Sequence, residues 1–255
     1  NFNTENATSL SNMFKSCIGL SELDISNFKT PICENFSSMF AGNENLETLT
    51  FNVNNFTTNE ASQMKYMFAG CSLLSSLNVS NFNVEKVLDI SSMFAGCSSL
   101  SSLNVSSFNP KIATSLMAMF AQCTSLTSLD LSTFETSEAT NMSLMFYLNS
   151  SLQTLTLSPT KFITQKVTSF TNMFTGCSNI QDFSFVNHFD YSSAITLHHM
   201  FQNCSAMNTI NFNSWTTSEN LKNISYMFDG CSSLTSITLP ESFDTSNVTN
   251  FKLLF

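Results

Sequence analysis

Arginine is absent from this 255-residue sequence: all nine basic residues are lysines, set against 18 Asp plus Glu, for a formal charge of −9. Nucleic-acid backbones and anionic membrane surfaces are held by basic patches, so neither is an expected partner. Charge of any sign is scarce, at 11% of residues. No apolar run approaches the roughly 18 residues that a membrane-spanning helix needs, so direct membrane insertion of this segment is not expected. The opening residues, NFNTENATSL, lack both the basic n-region and the apolar h-region of a signal peptide. There is no Cys-x-x-Cys pair, and no candidate nucleophile stands at a recognisable spacing from a His and a carboxylate. The sequence therefore predicts no enzyme, no cofactor and no metal site.

What fills the chain instead is about 70 Ser plus Thr, 30 Asn, 26 Phe and 13 Met. Polar, weakly charged chains are often disordered, but disordered chains lack aromatics, and this one has enough Phe to build a core. The aromatics are periodic. A Met-Phe pair recurs at 13–14, 39–40, 67–68, 93–94, 119–120, 145–146, 173–174, 200–201 and 227–228, with Leu254-Phe255 as a tenth, at intervals of 26 to 28 residues. A fixed period of that size means stacked units, each burying its apolar face against its neighbours. The sequence opens and stops part-way through a repeat. It reads as one repeat domain over 1–255, about nine to ten repeats in a window of a longer chain.

Within a repeat such as Met93 to Phe108, MFAGCSSLSSLNVSSF, a small residue follows the Phe by three, and apolar residues follow at Leu100, Leu103 and Val105. The last step of two is strand alternation, with Leu103 and Val105 pointing inward and Asn104 outward. A second aromatic, Phe108 here, anchors the next turn. Apolar residues six and three before the Met, Val87 and Ile90, share one face of a short helix or 3₁₀ segment. This pattern resembles the BspA-type leucine-rich repeats, close to the "MFxxCxxLxxLxLSxF" repeats of mycoplasma surface lipoproteins. The resemblance implies an α/β repeat solenoid, right-handed, with a parallel β-sheet on one face and short helices or 3₁₀ segments on the other. It also implies cell-surface display and adhesin-like binding to protein partners.

Seven of the eight cysteines share one slot, filled by Cys17, Asn43, Cys71, Cys97, Cys123, Asn149, Cys177, Cys204 and Cys231. Adjacent slots in a parallel stack lie about 4.8 Å apart, which would permit a bridge. The Asn interruptions, however, leave runs of one, three and three that cannot be paired off between neighbours, so no disulfide is expected. Interchange of Cys with Asn suits a small buried side chain that hydrogen-bonds the neighbouring repeat's backbone, a structural ladder. Cys33 falls six residues before Met39, in a small apolar core slot. His198 and His199 stand where other repeats carry Ser, Thr or Asn, and are expected to face solvent.

With the core slots assigned, the outward strand positions form a file: Asp24, Thr50, Asn78, Asn104, Asp130, Thr156, Ser184, Asn211 and Thr238. This flat, polar, nearly neutral face is the candidate partner-binding surface, for a protein or glycan partner or for self-association. It lacks the aromatic and Arg anchors of a tight interface, which favours weak, multivalent contacts. Of ten N-x-S/T sequons, about as many as composition alone gives, Asn55 and Asn247 lie in predicted turns and are the better candidates for glycosylation. The function expected is a non-enzymatic interaction module at the cell surface or outside the cell. The alternative is an intracellular structural protein that forms filaments or layers by repeat stacking.

Overall fold

The computed structural model of the protein describes residues 2–212, 215, 218–241 and 243–255. The Met-Phe segment is built from consecutive tight turns, and the expectation of a short helix or 3₁₀ segment there is corrected. In the fourth copy, Ala95 N–H bonds Ser92 O at 3.2 Å and Cys97 N–H bonds Phe94 O at 3.2 Å. The intervening donors leave the rung: Ser92, Phe94 and Gly96 N–H bond Met117, Met119 and Ala121 O at 2.8, 2.9 and 2.7 Å. A helix would have closed all of these on its own i−4 carbonyls. Left-handed backbone at Ser92 (φ 57°) and Gly96 (φ 76°) is what breaks it. Apolar spacings of 3, 3 and 1 fit stacked turns as well as a helix, and the backbone chooses the arrangement that donates every second N–H to the neighbouring rung.

The same left-handed pair recurs in every rung, at Asn12 and Ser16, Tyr66 and Gly70, His199 and Asn203, and Tyr226 and Gly230. Glycine holds the second left-handed position without strain, where other rungs place Ser16, Gln122, Leu148 or Asn203. A Cβ on Gly96 would sit 3.4 Å from the Gly70 backbone.

Two columns of side chains fill the interior. Phe14, Phe40, Phe68, Phe94, Phe120, Phe146, Phe174, Phe201, Phe228 and Phe255 stack ring on ring, with neighbouring centroids 5.3–6.0 Å apart and planes within 12°. Beside them, Met39, Met67, Met93, Met119, Met145, Met173 and Met200 are fully buried. The second aromatics, from Phe28 through Phe108 to Phe189 and Trp215, close the far side, and one apolar cluster runs from Leu10 to Val248. Each buried Phe removes enough apolar surface to stabilise the fold by about 1.5–3 kcal/mol, and near-parallel offset stacking adds about 0.5–1.5 kcal/mol per pair.

The strand face is less continuous than a full parallel sheet. Among the described residues it consists of three two-stranded parallel sheets: β1 (Glu22–Asp24) with β2 (Thr48–Thr50), β3 (Ser128–Leu131) with β4 (Thr154–Leu157), and β5 (Thr209–Asn211) with β6 (Ser236–Thr238). Register follows the repeat, with Leu23 opposite Leu49, Leu129 opposite Leu155 and Ile210 opposite Ile237. Every paired set contains outward Thr: Thr48 and Thr50, Thr154 and Thr156, or Thr209 and Thr238. The unpaired rungs at 76–78 and 102–104 read Ser-Leu-Asn. β-Branched Thr favours extended backbone and Ser and Asn do not, so the sheet forms where Thr stands on its surface.

The seventh rung departs furthest. Its strand position carries the 3₁₀ helix Ser184–His188, so Ser184, expected on the outward strand file, opens this helix instead. The cause is local. Asp182 lies two residues earlier than the Asx residues of other rungs, and its Oδ1 accepts Ser184 N–H at 2.7 Å, so the turn begins inside what would be the strand. Phe183 then stands edge-on between Phe174 and Phe201, at 86° and 90°.

Candidate interaction surface and the ladders behind it

Inside the rungs, the shared Cys/Asn slot makes a hydrogen-bonded file. Cys71, Cys97, Cys123, Cys177, Cys204 and Cys231 each donate Sγ–H to the carbonyl of Phe40, Phe68, Phe94, Phe146, Phe174 and Phe201 in the preceding rung, at 3.1–3.3 Å. Asn43 Nδ2 spans two carbonyls, Phe14 O at 2.9 Å and Phe40 O at 2.7 Å. Asn149 works in the opposite sense, its Oδ1 accepting Cys123 N–H at 2.9 Å. Burial pushes the thiols of Cys71, Cys123 and Cys177 up to about 12 and that of Cys231 up to about 11. Cys97 and Cys204 are likewise raised well above the ordinary value, by burial first and then by the neighbouring thiols. Reactive chemistry needs the thiolate, and these positions disfavour it. Cys17 is half-buried, and Cys33 is buried in its core slot.

A second ladder went unread in the sequence. Nine residues before each Met lies a buried Thr in many rungs. Thr30 Oγ1–H donates to Thr57 O at 2.7 Å, Thr58 to Asn83 O at 2.9 Å, Thr136 to Ile163 O at 2.7 Å and Thr164 to Asp190 O at 2.9 Å. The Thr recurs in register at 4, 30, 58, 136, 164 and 245, and that recurrence was the available signal.

The outward file sits where the strand alternation placed it. Asp24, Thr50, Asn78, Asn104, Asp130, Thr156 and Thr238 are exposed, as is Ser184 at the 3₁₀ helix, and Asn211 is half-buried. Its Asx members are not idle. Asp24, Asn78, Asn104 and Asp130 each accept, through Oδ1, the backbone N–H two residues on, at 2.8–3.1 Å. These contacts fix the side chains at the turn that ends each strand, while Thr50, Thr156 and Thr238 stand outward between them. Asn55 and Asn247 lie in turns, the first half-buried and the second exposed.

His198 and His199 are half-buried, against the expectation that they face solvent. The His199 ring stacks on Tyr226 at 4.5 Å, and its Nδ1 pairs with Gln202 Oε1 at 2.6 Å, while His198 Nδ1 pairs with Ser225 Oγ at 2.7 Å. Burial, then the charge of His199, lowers the pKa of His198. Among the described residues no group of three or more His, Cys, Asp or Glu could hold a metal ion, and no helix is long and apolar enough to cross a membrane.

Beside the 3₁₀ helix, the strand face opens into a cavity of about 590 Å³ lined by β4, Pro159, Asp182, Phe185 and His188, with a second of about 510 Å³ adjoining at Gln153 and Asp182. Sequence periodicity did not place it. The available sign was the shifted Asp182 followed by Phe at both inner strand positions.

Residues 1–78, 73–182 and 149–255 each match the family described as Mycoplasma protein of unknown function, DUF285. A crystal structure of a leucine-rich repeat protein from Bacteroides ovatus aligns over 95% of this chain and 77% of its own, with 15% identity and a TM-score of 0.38. No curated protein matches the chain.

Proposed function

The chain belongs to the Mycoplasma protein family DUF285, and from that premise we propose that it is a non-enzymatic protein-interaction module, displayed at a cell surface or outside the cell. The observation that carries this reading is the outward file. Its side chains are exposed, short and polar, and those of Asp24, Asn78, Asn104 and Asp130 are held at the turn by a backbone N–H. A fixed array of hydrogen-bonding groups, one per rung, suits repeated weak contacts with an extended protein or glycan. We read the stack as a right-handed leucine-rich-repeat solenoid, since crossovers joining parallel strands are almost always right-handed. Surface display is supported by the likeness to mycoplasma surface repeats and by the acidic, Arg-free composition.

The test has two parts. On intact cells, antibody against the chain should label the surface, and external protease should remove the label. In solution, the protein should bind components of a panel of extracellular matrix proteins and glycans. The double variant Thr50→Lys, Thr156→Lys, with unchanged thermal stability, should lose at least about tenfold in affinity, a change of about 1.4 kcal/mol. Label found only after lysis, together with no binding and concentration-dependent growth into filaments, would favour the assembly reading instead.

A further inference from the structure

We propose that the groove between β4 and the 3₁₀ helix at Ser184–His188 takes up an extended cationic peptide as an added strand on β4. The proposal rests on the interaction reading above and gives it a site and a partner chemistry.

β4 pairs with β3 along one edge, where Thr154 N–H bonds Thr127 O at 3.3 Å. Peptide groups in a parallel strand face its two edges alternately, so those of Thr154 and Thr156 turn toward β3 and those of Leu155 and Leu157 toward the groove. On that side lies the 3₁₀ helix, and among the described residues no backbone hydrogen bond crosses from β4 to the 182–188 segment. An open strand edge facing a cavity of about 590 Å³ is the geometry by which sheets accept an extra strand.

The lining defines the strand that fits. Leu155, Leu157, Pro159 and Phe185 supply apolar surface, while Gln153 and Asp182 supply polar groups. The Asp182 carboxylate is anchored by Ser184 N–H at 2.7 Å and Ser184 Oγ–H at 3.0 Å and stays exposed. Among the described residues no lysine pairs with it. In a chain of net charge −9, a fixed carboxylate beside apolar surface and an open edge suits a strand that alternates basic with apolar side chains.

The probe is the blocked hexapeptide Lys-Val-Lys-Val-Lys-Val, titrated into the full chain and followed by backbone amide NMR, with Glu-Val and centrally Pro-substituted versions as controls. Saturable shifts centred on the Leu155 and Leu157 amides are expected, absent with both controls. Asp182→Asn, which retains the acceptor for Ser184 N–H, should weaken binding about three- to tenfold. Equal binding of the Glu-Val peptide, or no shift at Leu155 and Leu157, overturns the proposal. Shifts confined to the outward file at Thr50, Asn104 and Thr156 would also overturn it while leaving the interaction reading standing. If neither the peptides nor the matrix and glycan panel binds, both fall. Dimers of the chain that dissociate on adding the peptide would assign the edge to a second copy and overturn the peptide assignment.

Discussion

A thiol and an amide exchange places along one slot because both are small and both can donate a second hydrogen bond to a carbonyl of the preceding rung, as Cys123 does to the Phe94 O that Cys97 N–H already reaches. The carbonyls of that file face inward, and losing the bond from the slot costs about 0.5–1.5 kcal/mol. The donor must stay protonated to serve. Burial raises the folded-state pKa of Cys71, Cys123 and Cys177 from the ordinary 9.0 to about 12. Above pH 9 the unfolded chain loses protons that the folded chain retains. Their contribution to stability is therefore complete below about pH 9 and is lost as pH rises toward 12. Urea midpoints should hold steady to pH 9 and then fall. Cys71→Asn, which fills the slot as Asn43 does, should make that fall shallower. An unchanged alkaline slope would mean that the thiols do not carry it. Half-buried Cys17 should react with a thiol reagent at neutral pH, while the buried cysteines should react only on unfolding.

At the scale of the element, turn chemistry outweighs inner-face hydrophobicity. The seventh rung has apolar residues at both inner strand positions, Phe183 and Phe185, yet it forms a 3₁₀ helix because Asp182 captures Ser184 N–H two residues early. Returning the outward residue to a strand former and lightening the second inner side chain, in Asp182→Thr with Phe185→Val, should extend the rung. Hydrogen exchange at the Leu155 and Leu157 amides should then slow at least about tenfold as the edge becomes paired. Unchanged exchange would show that the bulk of Phe183, and not the Asx turn, breaks the strand. The rung period, the Phe and Met columns, the Cys/Asn file and the outward side of Asn104 were all legible in the sequence, since each depends on spacing alone. The turn stack was misread as helix because Val87, Ile90 and Met93 fall at the same intervals in both. What separates the two is left-handed backbone at Ser92, which periodicity does not record. The groove was missed for a related reason. It arises from a two-residue displacement of Asp182, within a pattern whose regularity hides a single exception.

For the whole molecule, the broken strand face raises the question of what couples the rungs. Three separate two-stranded sheets cannot do so. The Phe column passes without a gap from Phe14 to Phe255, and it crosses the irregular rung through Phe174 and Phe201 at 5.7 Å. The turn ladder crosses with it, since Phe174 N–H bonds Met200 O at 2.9 Å and Phe201 N–H bonds Met227 O at 3.0 Å. In a stack where each unit touches only its neighbours, cooperativity is set by these interfaces. The column and the turns should therefore hold the molecule in one unfolding unit despite the interrupted sheet. Phe120→Ala removes a fully buried ring stacked on both sides and should cost about 3–5 kcal/mol. Phe14→Ala, at a half-buried position, should cost distinctly less. The wild-type chain should unfold in urea in a single transition, seen alike by Trp215 fluorescence and by exchange of amides in the first three rungs. Phe120→Ala should shift both probes together. If the Trp215 signal holds while the early rungs unfold, the sheets and not the column set the cooperative unit.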